Sequence, residues 1–192
     1  MNAARGLPEE VAALLRGSPD ADIRAAVAHA GAEQAFPFLT VDGHGYPHSA
    51  LLSRTELEPA PASGLLLAVV SGTRTRANLE RDGRAGLIAV HGTVCSHLTL
   101  RLVGSRVISG EPGDAYDGGA GSESDGGTNG GTGSVLGCTF AVESHTAASL
   151  DIPLSPLGFR ADGHIARLAR IEQWERTATA LATLRSAYGG EV

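Results

Sequence analysis

The sequence predicts a mainly β protein: a small antiparallel barrel, closed or partly split, with helices at both ends of the chain. Three observations lead to this prediction. Apolar runs and alternating stretches indicate roughly six strands from Phe36 onwards. The two ends of the chain show helical spacing of apolar residues instead. Sequential antiparallel strands on a chain of 192 residues favour a barrel.

Composition narrows the class of protein. Hydrophobic residues make up 42% and charged residues 19%, which is typical of a globular chain, and the net charge of −6 argues against a general nucleic-acid binder. All 15 basic residues are arginines, so no lysine Schiff base is available. Two cysteines are too few for a disulfide framework. The sequence shows neither an apolar leader nor an apolar run long enough to span a membrane, so we expect a cytoplasmic protein that does not associate with a membrane.

The N-terminal half predicts two helices followed by a hairpin. Residues Pro8–Arg16 and Asp20–Ala35 show helical spacing of apolar side chains. From Phe36 the period changes to two, and a turn at Asp42–Gly45 joins the strands Phe36–Val41 and Tyr46–Arg54. This pattern predicts an antiparallel hairpin.

The middle of the chain predicts a buried strand, a short helix and two more strands. A loop at Glu58–Ser63 leads to the apolar run Leu65–Val70, which is too short for a surface helix. The predicted helix Thr73–Asp82 ends at a glycine, and the strands Arg84–His91 and Cys95–Ile108 follow, with a bulge expected at Gly104.

The last third begins with a segment rich in Gly, Ser and Asp, 110–134, which we interpret as a flexible loop because it holds too few apolar residues to pack. Strands are then expected at Val135–Glu143 and Leu157–Arg160, and a final amphipathic helix at Asp162–Tyr188. The expected organisation is N-terminal helices in 1–35, a barrel in 36–160 and a C-terminal helix in 161–192.

The stretch Ser71–Arg84, SGTRTRANLERDGR, is the best candidate for a binding site. Hydroxyl groups and two arginines, Arg74 and Arg76, surround the start of the predicted helix. Cations there oppose the helix dipole unless an anion is bound, so the pattern favours a phosphate seat. The alternative is an ordinary solvated first turn.

Other polar residues give weaker signals. His91, Cys95 and His97 could be interpreted as metal ligands, but no fourth ligand is evident, and structural roles and no metal site are favoured. Cys95 and Cys138 are expected to be buried thiols in neighbouring strands. No spacing of residues identifies a catalytic group, so the catalytic residues are unknown at this stage.

Three stretches, in this order, resemble the FMN-binding split β-barrel proteins related to pyridoxamine 5'-phosphate oxidase: FLTVDGHGYPHSALLS, LLLAVVSGTRTRANLERDGRAGL and HLTLRLVGSRVI. They cover about Phe36 to Ile108. The resemblance implies a six-stranded antiparallel split barrel of Greek-key type. It also implies a homodimer that holds FMN in a groove between the subunits.

The resemblance carries cofactor-binding roles onto this chain. Arg74 would bind the FMN phosphate, helped by Thr73, and Arg76 could compensate for Thr75, which stands where the family commonly has lysine. The full set of cofactor-binding residues implied is Ser49, Ala50, Leu51, Leu52, Ala68, Val69, Thr73, Arg74, Thr75, Arg76 and Thr99. His48 would lie beside the flavin groove with an undecided role.

The chain also departs from the oxidases themselves. Its end, ERTATALATLRSAYGGEV, lacks the Trp, Arg and His motif that grips their substrate phosphate, so their reaction is not expected. Two functions stay open. One is an FMN-dependent oxidoreductase that uses a nicotinamide donor and a small-molecule acceptor. The other is a binding module for flavin, a deazaflavin coenzyme or haem.

Overall fold

The structure is a computed structural model of the chain, and it describes residues 6–16, 32–60, 63–108, 134–160 and 164–188. Within these residues the elements are, in chain order, α1 (Glu9–Arg16), β1 (Ala32–Gln34), β2 (Phe36–Val41), β3 (Pro47–Leu52), β4 (Leu57–Pro59), β5 (Leu66–Val70), α2 (Thr73–Asp82), β6 (Arg84–His91), β7 (Val94–Ile108), β8 (Val135–Ser149), β9 (Gly158–Arg160) and α3 (His164–Tyr188).

A curled antiparallel sheet of seven strands forms a half-barrel, in the order β3-β2-β6-β7-β8-β5-β4. β1 and β9 make a separate two-stranded sheet. The long strands β7 and β8 run side by side for most of their length, and their register shifts between Leu102 and Gly104. The bulge expected at Gly104 is therefore confirmed.

The main hydrophobic core lies on the concave face of the sheet. Its aromatic centre is an edge-to-face pair, Phe38 and Phe140, with ring centroids 5.7 Å apart. Val11 and Leu15 of α1 and Leu79 of α2 are buried in the same core. Alternate residues of each strand enter this core, because side chains two residues apart on a strand point to the same face of the sheet.

A second apolar layer joins α3 to the convex side of β5 and β8. Leu67 and Val69 of β5 pack there with Leu181 and Leu184 of α3. Gly137 permits the close approach of α3, since a Cβ atom at this position would lie 3.2 Å from a methyl group of Leu184 and 2.9 Å from one of Ile108 on β7. The buried face of the last helix is thus used for packing on the sheet.

Most predicted elements are confirmed, but the number of strands differs. The hairpin β2–β3, the strand β5, the helix α2 and the strands β6 to β9 all occur close to their predicted positions. The prediction of six strands in one barrel is corrected to a seven-stranded half-barrel with a separate pair of strands. α3 confirms the C-terminal helix.

Two predicted segments are wrong in part. The helix predicted over Asp20–Ala35 lies outside the described residues up to residue 31, and Ala32–Gln34 is a strand, paired through Ala32 with Arg160. The loop predicted over Glu58–Ser63 begins inside β4, which pairs with β5. In both places strand pairing overrides local propensity, with a distant strand in the first case and with the next strand along the chain in the second.

The remaining expectations concern the Gly-rich segment, the two cysteines and membrane-spanning helices. The Gly-rich segment lies outside the described residues except for Ser134. Cys138 is fully buried as expected, and burial raises the pKa of its thiol to about 12, whereas Cys95 on the neighbouring strand is only half-buried. None of the described helices combines the length and the apolar character that crossing a bilayer requires.

Candidate functional site at the start of α2

α2 begins directly after the buried strand β5, and its first turn carries no capping side chain. The residue before the helix is Gly72, in an extended conformation and without a side-chain hydrogen bond to the first turn. The helix ends at Gly83, whose φ of 67° is left-handed and whose N–H donates to the Leu79 carbonyl. The first N–H groups of a helix have no partner inside it, so this end is open to an anion.

The far end of α2 is fastened to β2. Asn78 donates to the hydroxyl of Thr40 at 2.9 Å. Arg81 donates to the Asn78 side-chain oxygen at 3.0 Å and also to the Val41 carbonyl. These bonds set the direction of the helix, because they connect its last two turns to the end of a strand in the sheet.

The start of α2 lies against β3. His48 Nε2 and Thr75 Oγ1 are 3.1 Å apart and share a hydrogen bond. Thr75 is only 2% exposed, and His48 is half-buried on the same side of β3 as Ala50. We name the region formed by His48, Ala50 and residues 73–76 the α2–β3 corner.

The two arginines of the corner differ in their contacts. Arg74 is exposed and makes no hydrogen bond or ion pair with any residue that the structure describes. Arg76 is half-buried, and its Nη1 donates to the Ser134 carbonyl at 3.2 Å. Thr73 is exposed in the same first turn. Arg74 is therefore the guanidinium that can turn towards a bound anion without losing a contact to a described residue.

β3 supplies an open strand beside the corner. It is at one end of the seven-stranded sheet, and among the described residues only β2 pairs with it. Ser49 and Leu51 face outwards and are exposed, Ala50 is half-buried and Leu52 is buried. Backbone groups on the free side of such a strand can donate to and accept from a planar ligand.

Three residues of the sequence-based set lie elsewhere. Ala68 and Val69 on β5 are both 0% exposed, in the core, where a molecule bound at the surface does not reach their side chains. Thr99 is exposed on β7, in one row with Gly86, Leu39 and Ser49 across the sheet. Three strand spacings, about 14 Å, separate it from β3.

The convex face of β3, β2 and β6 is apolar and partly open. Val41 and Leu51 are 42% and 48% exposed. Leu39 and Ile88 of the neighbouring strands are half-buried on this face. The side chain of His97 lies over Gly86 on this face, and its Nε2 would be 3.3 Å from a Cβ atom built on Gly86.

The hydrogen bond between His48 and Thr75 was the feature that sequence reasoning missed. The alternation of β3 was a usable signal for the side on which His48 lies, but not for its partner 27 residues away. The structure also contains no group of three or more metal-ligating side chains among the residues that it describes.

The fold and the corner together define a mainly β half-barrel protein in which a helix end without a capping side chain lies beside an edge strand. No protein-family model and no curated protein matches the chain. Solved structures do align with it at low identity.

Three of these structures illustrate the likeness. An F420 reductase is 9% identical, with a TM-score of 0.40 over 62% of this chain and 94% of its own. The styrene monooxygenase flavin reductase SMOB from Pseudomonas putida S12 is 11% identical, with a TM-score of 0.44 over 74% of this chain and 95% of its own. HupZ from Group A Streptococcus is 12% identical, with a TM-score of 0.40 over 70% and 97%. Likeness at this level assigns neither a cofactor nor an activity.

Proposed function

We propose that this chain is an FMN-binding protein of the split-barrel family, with the cofactor phosphate at the start of α2 and the flavin ring along β3. The observation that carries the proposal is the exposed Arg74, which pairs with none of the residues that the structure describes, on a helix end without a capping side chain. A guanidinium and free N–H groups are suited to phosphate, because both the donors and the dipole favour an anion.

The corner fits both ends of the molecule. Thr73 and Arg74 offer a hydroxyl and a cation to the phosphate, and the free side of β3 from Ser49 to Leu51 offers backbone groups to the ring. Arg76 is a weaker phosphate ligand than the sequence indicates, because part of its guanidinium binds the Ser134 carbonyl. Bound FMN would supply the redox chemistry, and the protein would supply the seat, the orientation and the exclusion of water.

The activity proposed is that of an oxidoreductase that passes electrons from a nicotinamide donor to a small acceptor. The purified protein should bind FMN more tightly than riboflavin, because riboflavin lacks the phosphate. NADH or NADPH should then bleach the flavin absorbance. Equal affinity for FMN and riboflavin would contradict the phosphate seat, and flavin that neither nicotinamide reduces would contradict the enzymatic activity.

A non-catalytic binding module is the second candidate. The observation in its favour is the packing of α3, whose Leu181 and Leu184 lie against β5 and β8, so these described side chains supply no substrate contacts at the corner within one subunit. Titration with FMN, with a deazaflavin coenzyme and with haem separates the options. A Soret band that saturates at one haem per chain would favour haem, and tight flavin binding without reduction would favour storage or delivery.

We also propose that two copies of the chain associate through the convex face of β3, β2 and β6. Val41 and Leu51 are large apolar side chains left exposed there, and a dimer would cover them beside the edge of the sheet at β3. A standard interface buries about 800 Å² on each partner, an area that a face of three strands can supply.

Sedimentation velocity tests the dimer. Leu51→Glu places a charge at the centre of the proposed contact and should give a monomer, whereas Val103→Glu, at a residue 55% exposed on β7, should leave the dimer intact. A wild-type monomer, or equal effects of the two variants, would contradict this interface.

A further inference from the structure

The hydrogen bond between His48 and Thr75 brings a titratable group to the start of α2. The imidazole Nε2 lies 3.1 Å from Thr75 Oγ1. The same hydroxyl is turned back towards the beginning of the helix, since a Cβ atom built on Gly72 would lie 3.6 Å from it. His48 is thus one hydrogen bond away from the turn that offers its N–H groups to an anion.

The described elements that pack against His48 are β2 and α2. Thr40 is directly opposite on β2 and is uncharged, and Asp42 in the turn after β2 accepts from two backbone N–H groups. The charged residues of α2 are Arg74, Arg76, Glu80, Arg81 and Asp82. Of these, Arg81 reaches β2, where it donates to the Val41 carbonyl, and none of them forms an ion pair with His48 among the described residues.

We propose that His48 takes up a proton when a phosphate-bearing cofactor binds at the start of α2, so that the affinity for the cofactor depends on pH. This inference rests on the proposed function and identifies its regulation. His48 is here a positioning and charge-supplying residue, and it acts on the phosphate through Thr75 and through its own positive charge.

The physical argument has two parts. A protonated imidazole beside the positive end of a helix is unfavourable without an anion and favourable with one. When Nε2 carries a proton, it donates to Thr75 Oγ1, and the hydroxyl proton of Thr75 is then free to point away from His48. When Nε2 is bare, the hydroxyl donates to it instead. Protonation and phosphate binding therefore favour each other.

This coupling is reciprocal, because the factor by which a proton on His48 strengthens phosphate binding equals the factor by which phosphate strengthens proton binding. The buried Thr75 occupies the place of the lysine expected from the family pattern, and His48 supplies a cation there only when it is protonated.

The experiment is isothermal titration of the protein with FMN at pH 6, 7 and 8, in pairs of buffers with different ionisation heats. Wild-type protein should take up a larger fraction of a proton on binding than His48→Gln. The ratio of the FMN dissociation constants at pH 8 and pH 6 should be about fivefold larger in the wild type than in this variant. FMN's own phosphate titrates near pH 6 and is common to both proteins, so the difference isolates His48.

Two further measurements decide the remaining outcomes. Riboflavin should show no difference between wild type and His48→Gln, because it has no phosphate. Thr75→Val should weaken FMN binding while leaving proton uptake in place, and the histidine NMR signals of the wild type report the protonation of His48 directly should a variant fail to fold.

The results distinguish this inference from the proposed function. If FMN binds more tightly than riboflavin but proton uptake is the same in wild type and His48→Gln, His48 is not the linked group and the phosphate seat stands. If FMN and riboflavin bind equally, the phosphate seat itself is wrong, and the proposed coupling between phosphate binding and proton uptake by His48 is wrong as well.

Discussion

The phosphate seat makes a quantitative prediction for Arg74→Ala. A hydrogen bond to a charged group contributes about 1.5–3 kcal/mol. Because Arg74 is exposed, water and salt screen its interaction, and the lower end of this range applies. A loss of about 1.4 kcal/mol corresponds to tenfold weaker binding, so the FMN dissociation constant should rise by roughly a factor of ten.

The assay is quenching of FMN fluorescence at low and high salt. Arg84→Ala is the matched control, since Arg84 is also exposed but follows the end of α2, where no N–H groups are open. Riboflavin binding should be unaffected by both variants, and raising the salt should narrow the difference for FMN. If Arg74→Ala binds FMN as tightly as Arg84→Ala does, the assignment of the phosphate to this helix end is refuted.

Three further predictions concern stability and reactivity. Gly137→Ala should lower the melting temperature through a loss of about 1–3 kcal/mol, because its Cβ would lie 2.9 Å from a methyl group of Ile108 and 3.2 Å from one of Leu184, whereas Gly43→Ala, with its nearest atom 3.9 Å away, should not. Equal melting curves would show that these two side chains adjust freely. The N–H groups of Tyr46 and His44 hold the pKa of Asp42 below its ordinary value of 3.8, so the stability of wild type relative to Asp42→Asn should be fully present above that value and decline as the pH falls below it. A difference in unfolding free energy between wild type and Asp42→Asn that stays constant from neutral pH down to pH 2 would contradict this. With a pKa of about 12, Cys138 should resist a thiol reagent at pH 8, while the half-buried Cys95 reacts first. If both thiols of the folded protein reacted at the same rate, this prediction would be contradicted.

Local signals predicted α2 to the residue, and the reason is physical. A glycine precedes the helix, a left-handed glycine ends it, and buried strands stand on both sides. The hairpin β2–β3 was predictable for the same kind of reason, since Asp42 holds the turn through two backbone N–H groups. Where the determinants of an element are adjacent in the chain, the sequence is sufficient to locate it.

Elements that depend on pairing or packing partners outside their own segment were not predictable in this way. Ala32–Gln34 has helix-favouring residues, yet it pairs with Gly158–Arg160 at the other end of the chain. β4 has three residues, one of them a proline, and is a strand because it lies along β5. The depth of Ala68 and Val69 belongs to the same class, because β5 is covered on one face by the main core and on the other by α3.

Thr75 stands where the family that the sequence resembles commonly has lysine, and the structure gives this difference another meaning. As a sequence feature it removes a cation from the phosphate seat. In the fold the threonine is buried and hydrogen-bonded to His48, and a lysine at the same position would have to bury its ammonium group against an imidazole, at considerable cost. The corner is therefore built around a threonine–histidine pair, with two permanent cations, the exposed Arg74 and the half-buried Arg76, beside it. If FMN binds here as proposed, Arg74→Ala should weaken FMN binding at every pH, whereas His48→Gln should weaken it chiefly at low pH.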